Sequence, residues 1–336
     1  ADGANASSVI DNKTGSDNAG ILILDGDSEL GSAIGATNSL ASVSIFNKVG
    51  GSTIKFDDTL DTEILTLGAN SGTATFVGEA KINNAVNFTA ASQNLVFNTS
   101  STLANGASFA GKASTITVDS AAGNNTFNGA LTTTTTDTGT LAITGGANTV
   151  TIAKAVGGSG KLLSSVTIAD STNATFSEAV YATSLTAGSG TTTFNADVAA
   201  AISLTDGAMI VADGKNVNGA INNASANGTT SLTLSGSSNV SGAVGASNAI
   251  SSVSLINKAS ASSTFSSTFA ATAITLGANA GSVTFSGTTN INDAVNFTAA
   301  SQTLTFKGDT SLDDGINLKG YASTLILDST PGNKTF

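Results

Sequence analysis

Apolar residues in this chain occupy alternate positions within short runs, and the runs recur. In Val86-Asn87-Phe88 and in Leu95-Val96-Phe97 the first and third residues are apolar, and polar turns rich in Ala, Ser, Asn and Gly separate such runs. Alternation of this kind is typical of a β-strand with one side turned inward. The pattern predicts two short strands in each unit of about 21 residues.

The apolar residues also fall into columns when the sequence is written with one such unit to a line. The columns comprise Leu67, Phe88 and Phe109; Phe76, Phe97 and Val118; Leu276, Phe297 and Leu318; and Phe285, Phe306 and Leu327. A single coil cannot bury these side chains alone, whereas stacked coils about 4.8 Å apart bring each column into one internal ladder. We therefore predict an all-β fold: an elongated, right-handed parallel β-solenoid (β-helix) with coils of about 21 residues and with these columns as its core.

A longer period of about 105 residues encloses the shorter one. Thr66–Asn70 (TLGAN) returns as Thr275–Asn279, and Ala85–Gln93 (AVNFTAASQ) returns unchanged as Ala294–Gln302. A more divergent copy lies between the two. The predicted organisation is a lead-in over 1–20, then solenoid repeats over 21–127, 128–230 (degenerate) and 231–336. Because the chain stops at the end of a unit, we expect it to be a piece of a longer protein.

Tandem β-sandwich modules are the alternative fold. Modules of about 100 residues would also explain the longer period. They would not require the same residue class to recur at the shorter period, and Pro-rich linkers are missing, since Pro331 is the single proline. Parallel ladders need every backbone N–H, which fits the scarcity of proline. The solenoid is the preferred interpretation.

The composition removes several classes of function. The chain has no His, Cys or Trp, its 12 basic residues are all Lys, and 23 acidic residues give a net charge of -11. Ser-His-Asp and Cys-His catalytic sites and the usual zinc sites are therefore excluded. An acidic chain without Arg is not expected to bind nucleic acid. No stretch approaches 18 uninterrupted apolar residues, so we expect no transmembrane helix.

Clustered Asp residues are the candidates for a metal site. They are Asp25 and Asp27; Asp57, Asp58 and Asp61; and Asp313 and Asp314. Calcium takes about six to eight oxygen ligands, which turn carboxylates and carbonyls can supply. However, Asp25-Gly26-Asp27 becomes Ser235-Gly236-Ser237 in the third repeat, so the cluster is not repeated. Solvated turns are the preferred interpretation, calcium is the alternative, and no other cofactor is expected.

A polysaccharide-active β-helix enzyme is the catalytic alternative. Paired carboxylates among Asp57, Asp58 and Asp61 or at Asp313 and Asp314 could serve sugar hydrolysis. Polysaccharide lyases built on β-helices resemble this architecture, but their basic residue is usually an Arg set among Asp ligands, and this chain has no Arg. We expect no enzymatic activity.

The repeated phrases resemble the passenger regions of bacterial autotransporters. The closest likeness is to the large repetitive outer-membrane surface antigens of the rickettsia type and to related β-strand-repeat surface proteins. Asn87-Phe88-Thr89, Thr66–Asn70, Ala74-Thr75-Phe76 and Gly123–Phe127 carry this likeness on the shorter period. The resemblance implies secretion, an extracellular location on a bacterial surface in association with the outer membrane, and a role as adhesin or surface coat.

These observations predict a non-enzymatic cell-surface protein that is structural or adhesive. It would act as a stiff repetitive rod or coat, through weak contacts that add up when their spacing fits or through self-assembly. The expected partners are copies of itself, in an oligomer, lattice or filament, and a host or neighbouring cell surface. An S-layer or extracellular filament subunit is the alternative, because uncapped solenoid ends expose strand edges.

Overall fold

The computed structural model describes residues 4–12, 18–225, 229–329 and 335, which form short strands and turns without a helix. The rest of the predicted lead-in, part of the predicted second repeat and most of residues 330–336 lie outside the described residues. Two compact units, Ala1–Thr183 and Ser184–Phe336, divide the chain within the predicted second repeat. The strand β19 (Val180–Ala187) includes the division.

The first unit is a stack of parallel coils. One set of paired strands consists of β1 (Ala4–Ala6), β3 (Ser28–Leu30), β5 (Ser52–Phe56), β7 (Gly72–Phe76), β9 (Gln93–Phe97), β12 (Thr115–Asp119), β15 (Thr140–Thr144) and β17 (Leu163–Ile168). A second set consists of β2 (Ala19–Leu24), β4 (Leu40–Ile45), β6 (Leu60–Leu67), β8 (Ala80–Phe88), β10 (Ser101–Leu103), β11 (Ala107–Ser108), β13 (Asn125–Asn128), β14 (Leu131–Thr132), β16 (Thr149–Ile152) and β18 (Asn173–Phe176). Each strand thus lies beside the strand one coil away.

The second unit has the same construction. One sheet consists of β25 (Ser238–Val240), β27 (Ala261–Phe265), β29 (Gly281–Phe285), β32 (Gln302–Phe306) and β35 (Thr324–Leu327). The other strands are β20 (Thr191–Phe194), β21 (Val198–Leu204), β22 (Ala208–Val211), β23 (Ile221–Asn223), β24 (Ser231–Leu234), β26 (Ile250–Leu255), β28 (Phe269–Leu276), β30 (Thr289–Ile291), β31 (Val295–Asn296), β33 (Thr310–Leu312) and β34 (Ile316–Asn317).

Phenylalanine ladders form the centre of each stack, because alternation turns every second side chain inward. In the first unit Phe56, Phe76 and Phe97 are paired in register, with ring centroids 4.8 and 5.0 Å apart and nearly parallel planes. In the second unit the Phe285 ring stacks on Phe306 at 5.3 Å. Stacked rings contribute about 0.5–1.5 kcal/mol beyond the stabilisation that comes from their burial. These ladders therefore stabilise the contact between neighbouring coils.

The prediction of a parallel β-solenoid is confirmed in both units. The predicted columns pair as expected: Leu67 lies beside Phe88, and Phe76 beside Phe97. Because strands pair in parallel across coils rather than antiparallel within a module, the tandem β-sandwich alternative is wrong.

Two predicted core residues are exposed. Leu318 follows β34, and Leu327 ends β35, with 37% and 48% of their surfaces exposed. Their column partners one coil earlier, Phe297 and Phe306, are fully buried. Leu318 and Leu327 are exposed because, among the described residues, no further coil stacks on β34 and β35.

Leu67 pairs with Ile45 and not with Phe46, although Phe46 precedes Leu67 by 21 residues, which is the predicted coil length. Phe46 has a left-handed backbone (φ 62°) and a fully buried ring just after β4. A Cβ at Gly72 would lie 2.7 Å from the Phe46 ring. The Phe46 ring therefore fills the space left by the missing Cβ of Gly72. Phe46 itself forms the corner after β4 and takes no place in the column of Ile45 and Leu67.

Coil length varies while the ladder is preserved. Phe76, Phe97 and Val118 occupy successive places in one ladder and are evenly spaced in the sequence, and Ile143 and Ile168 continue that ladder at a longer spacing. Val118 and Ile143 are nevertheless fully buried. The predicted period of about 21 residues holds from Phe76 to Val118, and the spacing from Phe56 to Phe76 is slightly shorter. The turns absorb the additional residues of the later coils.

Candidate functional site

The first pair of calcium candidates lies in the turn after β2. Asp25 accepts a salt bridge from Lys48, with Nζ 3.1 Å from its Oδ2. Asp27 Oδ1 accepts a hydrogen bond from the backbone N–H of Thr53, one coil later, at 2.7 Å. Each carboxylate thus has a protein partner that links adjacent coils.

The second group, in and beside the turn between β5 and β6, is dispersed over three separate interactions. Asp57 Oδ1 lies 2.6 Å from Nζ of Lys55, which also meets Glu29 at 3.1 Å. These hydrogen bonds, to Asp57 first and then to Glu29, raise the pKa of the Lys55 ammonium above its ordinary value. Asp58 accepts from the N–H of Thr59 at 2.7 Å, and Asp61 from the Asn83 amide at 2.9 Å.

The third pair lies in the exposed turn between β33 and β34. Asp313 Oδ1 accepts a hydrogen bond from Ser311 at 3.4 Å, and Asp314 is exposed beside it. Within residues 4–12, 18–225, 229–329 and 335, no three acidic side chains come together in a geometry that could hold a metal ion. The structure thus places the Asp candidates in three separate regions of the stack, and Asp61 lies at the start of β6 rather than in a turn.

Side-chain oxygens that accept backbone N–H groups of the next coil form a recurring device that the sequence did not reveal. Asp11 accepts from the backbone N–H groups of Thr37 at 3.2 Å and of Asn38 at 2.9 Å. A hydrogen bond from the Thr37 side chain, followed by that from the Asn38 backbone, lowers the pKa of the Asp11 carboxyl group. Asp213 accepts from Ser237 at 2.9 Å and pairs with Lys258. The Lys258 hydrogen bond, followed by that from Ser237, lowers the pKa of Asp213. The acidic residues therefore cap turns between coils.

The most faithfully repeated phrases build a buried polar corner. Gln93 is fully buried, and its Nε2 donates to the carbonyls of Gly68 at 2.5 Å and of Asn70 at 3.0 Å. In the second unit Gln302 donates in the same way to Gly277 and to Asn279. The identical phrases thus preserve an interaction between coils.

Hydroxyl groups occupy many outward positions of one sheet in the first unit. They alternate with buried core residues on β5, β7, β12, β15 and β17, whereas β9 presents Asn94 and Val96 at the paired positions. Within the array, Thr140 and Ser165 are hydrogen-bonded at 3.1 Å. We call this set the hydroxyl face: Thr53, Thr73, Thr75, Thr115, Thr117, Thr140, Ser165 and Thr167.

The second unit carries a similar array on β27, β29 and β32. Ser262 and Ser282 are paired in register and hydrogen-bonded through their side chains at 3.2 Å. Thr284 and Thr305 are likewise paired and point outward, because they alternate with buried residues. Outward hydroxyl columns therefore occur in both units.

The first unit has a surface groove along the turns that follow β7, β9 and β12. This groove of about 480 Å³ is lined by Glu79, Asn98, Thr99, Ser100, Ala122, Gly123 and Asn124. Glu79 is its single titratable lining residue and lies 3.8 Å from Lys81 on the strand beside it. The groove thus lacks the second carboxylate that glycoside hydrolysis requires.

Among the described residues no helix has the length and apolar character needed to cross a membrane. Comparisons with protein-family models, with curated proteins and with solved structures found no match to this chain.

Proposed function

We propose that this chain is a non-enzymatic structural and adhesive protein of a bacterial cell surface. The hydroxyl face is the observation that carries the proposal. It offers hydroxyl groups on five strands, β5, β7, β12, β15 and β17, in a sheet whose neighbouring strands lie about 4.8 Å apart and whose core ladders hold that spacing. Weak contacts repeated at a fixed spacing give a binding strength that none of them has alone.

The extracellular location rests on the resemblance of the repeated phrases to surface antigens of the rickettsia type. The engagement of Asp25, Asp27 and Asp57 in bonds between residues of the stack supports a structural use of the acidic groups. A role in coat formation and a role in adhesion both use the same repeated surface.

The chemistry of the hydroxyl face indicates the class of partner. Thr and Ser hydroxyl groups both donate and accept hydrogen bonds and carry no charge. A polymer that presents hydroxyl and amide groups at regular intervals, such as a polysaccharide on a host or neighbouring cell, complements such a face. Lys55, which borders the face, is engaged by Glu29 and Asp57.

Binding of the 336-residue chain, displayed on beads, to intact cells and to immobilised polysaccharide tests the proposal. Thr115→Val, Thr117→Val and Thr140→Val remove hydroxyl groups while keeping a β-branched shape that strands favour. We expect each variant to weaken binding slightly and the triple variant to abolish most of it, since the contacts act together.

Thr126→Val is the matched control, because Thr126 is exposed on β13, in the other set of strands. It should bind as the wild type does. Absence of binding to every surface tested, or a triple variant that binds normally, would contradict the adhesive role.

A second candidate is a filament or S-layer subunit that assembles through the ends of the solenoid. The observation that favours it is the exposure of apolar side chains on β2 and β35, including Ile21 at 70% and Leu327 at 48%. Electron microscopy of the concentrated chain should then show filaments or a lattice, whereas isolated particles at every concentration would contradict it.

A further inference from the structure

A surface groove of about 260 Å³ crosses three successive coils of the second unit. Asn216, Asn239 and Thr264 lie beside one another on these coils. Each residue that lines the groove is uncharged, and most of them carry an amide or a hydroxyl group. We call this set the neutral groove: Asn216, Ser237, Ser238, Asn239, Ser262 and Thr264.

Hydrogen bonds between coils hold polar side chains of the neutral groove in place. Asn216 Oδ1 accepts a bond from the backbone N–H of Asn239 at 3.0 Å. Ser237 Oγ accepts a bond from the backbone N–H of Ser262, also at 3.0 Å. A serine hydroxyl that accepts one bond can still donate its own proton. The groove therefore presents fixed groups that retain hydrogen-bonding capacity, and a fixed site loses little entropy on binding.

The buried hydroxyl group of Ser238 has no hydrogen-bond partner among the described residues. Ser238 lines the groove and is 5% exposed. In the first unit the corresponding Ser28 donates to the Gly26 carbonyl at 3.4 Å. In the second unit the corresponding Gly236 carbonyl accepts from Ser263 instead, at 3.0 Å. Ser238 therefore keeps an unused hydroxyl group, whereas buried polar groups normally have a partner.

The first unit has the same framework at the corresponding place. The internal alignment relates Asp27 to Ser237 and Thr53 to Ser262. Asp27 Oδ1 accepts the backbone N–H of Thr53 at 2.7 Å, just as Ser237 Oγ accepts that of Ser262. The two units therefore build this corner alike and differ in the chemistry of its surface.

Charge distinguishes the two corresponding places. In the first unit Glu29 pairs in register with Lys55 and forms a salt bridge with it at 3.1 Å. In the second unit Asn239 and Thr264 hold the same register, and neither is charged. The first unit thus covers this place with an ion pair, whereas the second unit presents neutral groups there.

We propose that the neutral groove binds one ring of an uncharged saccharide. Amide and hydroxyl groups complement sugar hydroxyl groups, because both sides donate and accept hydrogen bonds. A charged ligand would give up water without meeting an opposite charge in the lining. The volume of about 260 Å³ lies below the roughly 300–1,000 Å³ of pockets for drug-sized ligands, so a single ring fits. The site rests on the proposed adhesive function and gives it a sugar subsite in the second unit.

Saturation-transfer NMR of the 336-residue chain with free glucose, galactose and mannose tests the site. At least one of these neutral hexoses should receive magnetisation from the protein. Glucuronic acid and glucosamine carry a negative and a positive charge on the same kind of ring. Titration of the same signal should show that they bind about tenfold more weakly than the neutral hexose.

Asn239→Glu combined with Thr264→Lys transfers the ion pair of the first unit to the second. The double variant should fold normally, since Glu29 and Lys55 occupy the same register in the first unit. It should weaken hexose binding by about tenfold or more, because the new pair covers the neutral groups. The matched control is the triple variant of the hydroxyl face, which leaves the neutral groove intact and should bind the hexose as the wild type does.

Ser238→Ala separates binding from folding. The Ser238 hydroxyl makes no hydrogen bond within the described chain, so its loss should leave the melting temperature unchanged while hexose binding weakens. A variant that melts at a lower temperature and binds the hexose normally would contradict the place of Ser238 in the site.

No transfer to any neutral hexose, equal binding of the charged sugars, or a double variant that binds normally would overturn the site. Bead-displayed chains separate this result from the proposed function. Beads that bind cells through the hydroxyl face, while the free chain binds no hexose, overturn the site and leave the adhesive role standing. A free chain that binds a hexose, on beads that bind no cell, supports the site and contradicts the adhesive role.

Discussion

The side-chain amide of Gln93 donates to the backbone carbonyl of Gly68 at 2.5 Å, from the following coil. The same amide reaches Asn70 at 3.0 Å, and the Gln93 backbone N–H donates to Ser114 Oγ, one coil further on, at 3.2 Å. One fully buried side chain and its backbone therefore connect three successive coils. This explains why the phrases around positions 68 and 93 repeat so faithfully around 277 and 302.

Gln93→Ala should lower the free energy of unfolding by roughly 2–4 kcal/mol, because the buried carbonyl of Gly68 loses its donor at about 1–3 kcal/mol and the part-buried carbonyl of Asn70 loses its donor at a smaller cost. Chemical denaturation followed by circular dichroism measures the change. Asn105→Ala is the matched control: it removes an amide hydrogen bond to Asn84 on the exposed surface and should cost no more than about 0.5 kcal/mol. Equal effects of the two variants would contradict a structural role for the corner.

Gly72→Ala should destabilise the first unit by about 1–3 kcal/mol, the usual cost of overpacking. The new methyl group would lie 2.7 Å from the Phe46 ring and from the Ser52 carbonyl oxygen. Gly50→Ala is the control, since the nearest atom to its Cβ would be Ser71 Oγ at 3.7 Å. Thermal denaturation of both variants measures the difference, and a Gly72→Ala variant as stable as the wild type would show that the corner can relax.

Phe76→Ala should cost about 3–5 kcal/mol, because the Phe76 ring stacks on Phe56 and on Phe97 at 4.8 and 5.0 Å. Each coil contacts its immediate neighbours, so the loss should be local. Hydrogen exchange should show faster exchange in β5, β7 and β9 before distant strands are affected. Val49→Ala, at a side chain 43% exposed, should leave the exchange pattern unchanged.

Acid should weaken the caps between coils. The pKa values of Asp11 and Asp213 are lowered in the folded chain, from an ordinary value of 3.8. Their contribution to stability is therefore present above this ordinary value and lost as the pH falls through the lower folded-state pKa. The melting temperature of Asp213→Asn should depend less on pH in this acidic range than that of the wild type. Thr126→Val, which removes no titratable group from the exposed surface of β13, should melt with the wild-type pH dependence.

The ladder registers could be predicted from the sequence, because a buried column demands the same residue class at each coil. Phe76 with Phe97 and Leu67 with Phe88 followed from spacing alone. The pairing of Leu67 with Ile45 could not be predicted in this way. Phe46 adopts a left-handed backbone conformation and forms the corner after β4, and the spacing of hydrophobic residues does not reveal such a corner.

The polar interactions were harder to predict, because a side chain that bonds to backbone one coil away leaves no mark on hydrophobic periodicity. Asp11 and Asp213 look like ordinary surface carboxylates in the sequence. Gln93 offered a usable signal, since Gln, Gly and Asn recur together at fixed spacing in both faithful repeats. The Asp groups proposed for calcium were plausible by composition, but their side chains lie in separate regions of the stack.

The variable coil length has a consequence for how such a chain can diverge. Val118 and Ile143 hold adjacent places in one ladder although a longer stretch of chain separates them than separates Phe97 from Val118. Insertions and deletions at the corners therefore leave the interior undisturbed. After many duplications, relatives of this chain can therefore lose all alignable sequence and still stack the same strands. Their common origin would then be visible in the order of inward-facing residues and not in a position-by-position comparison.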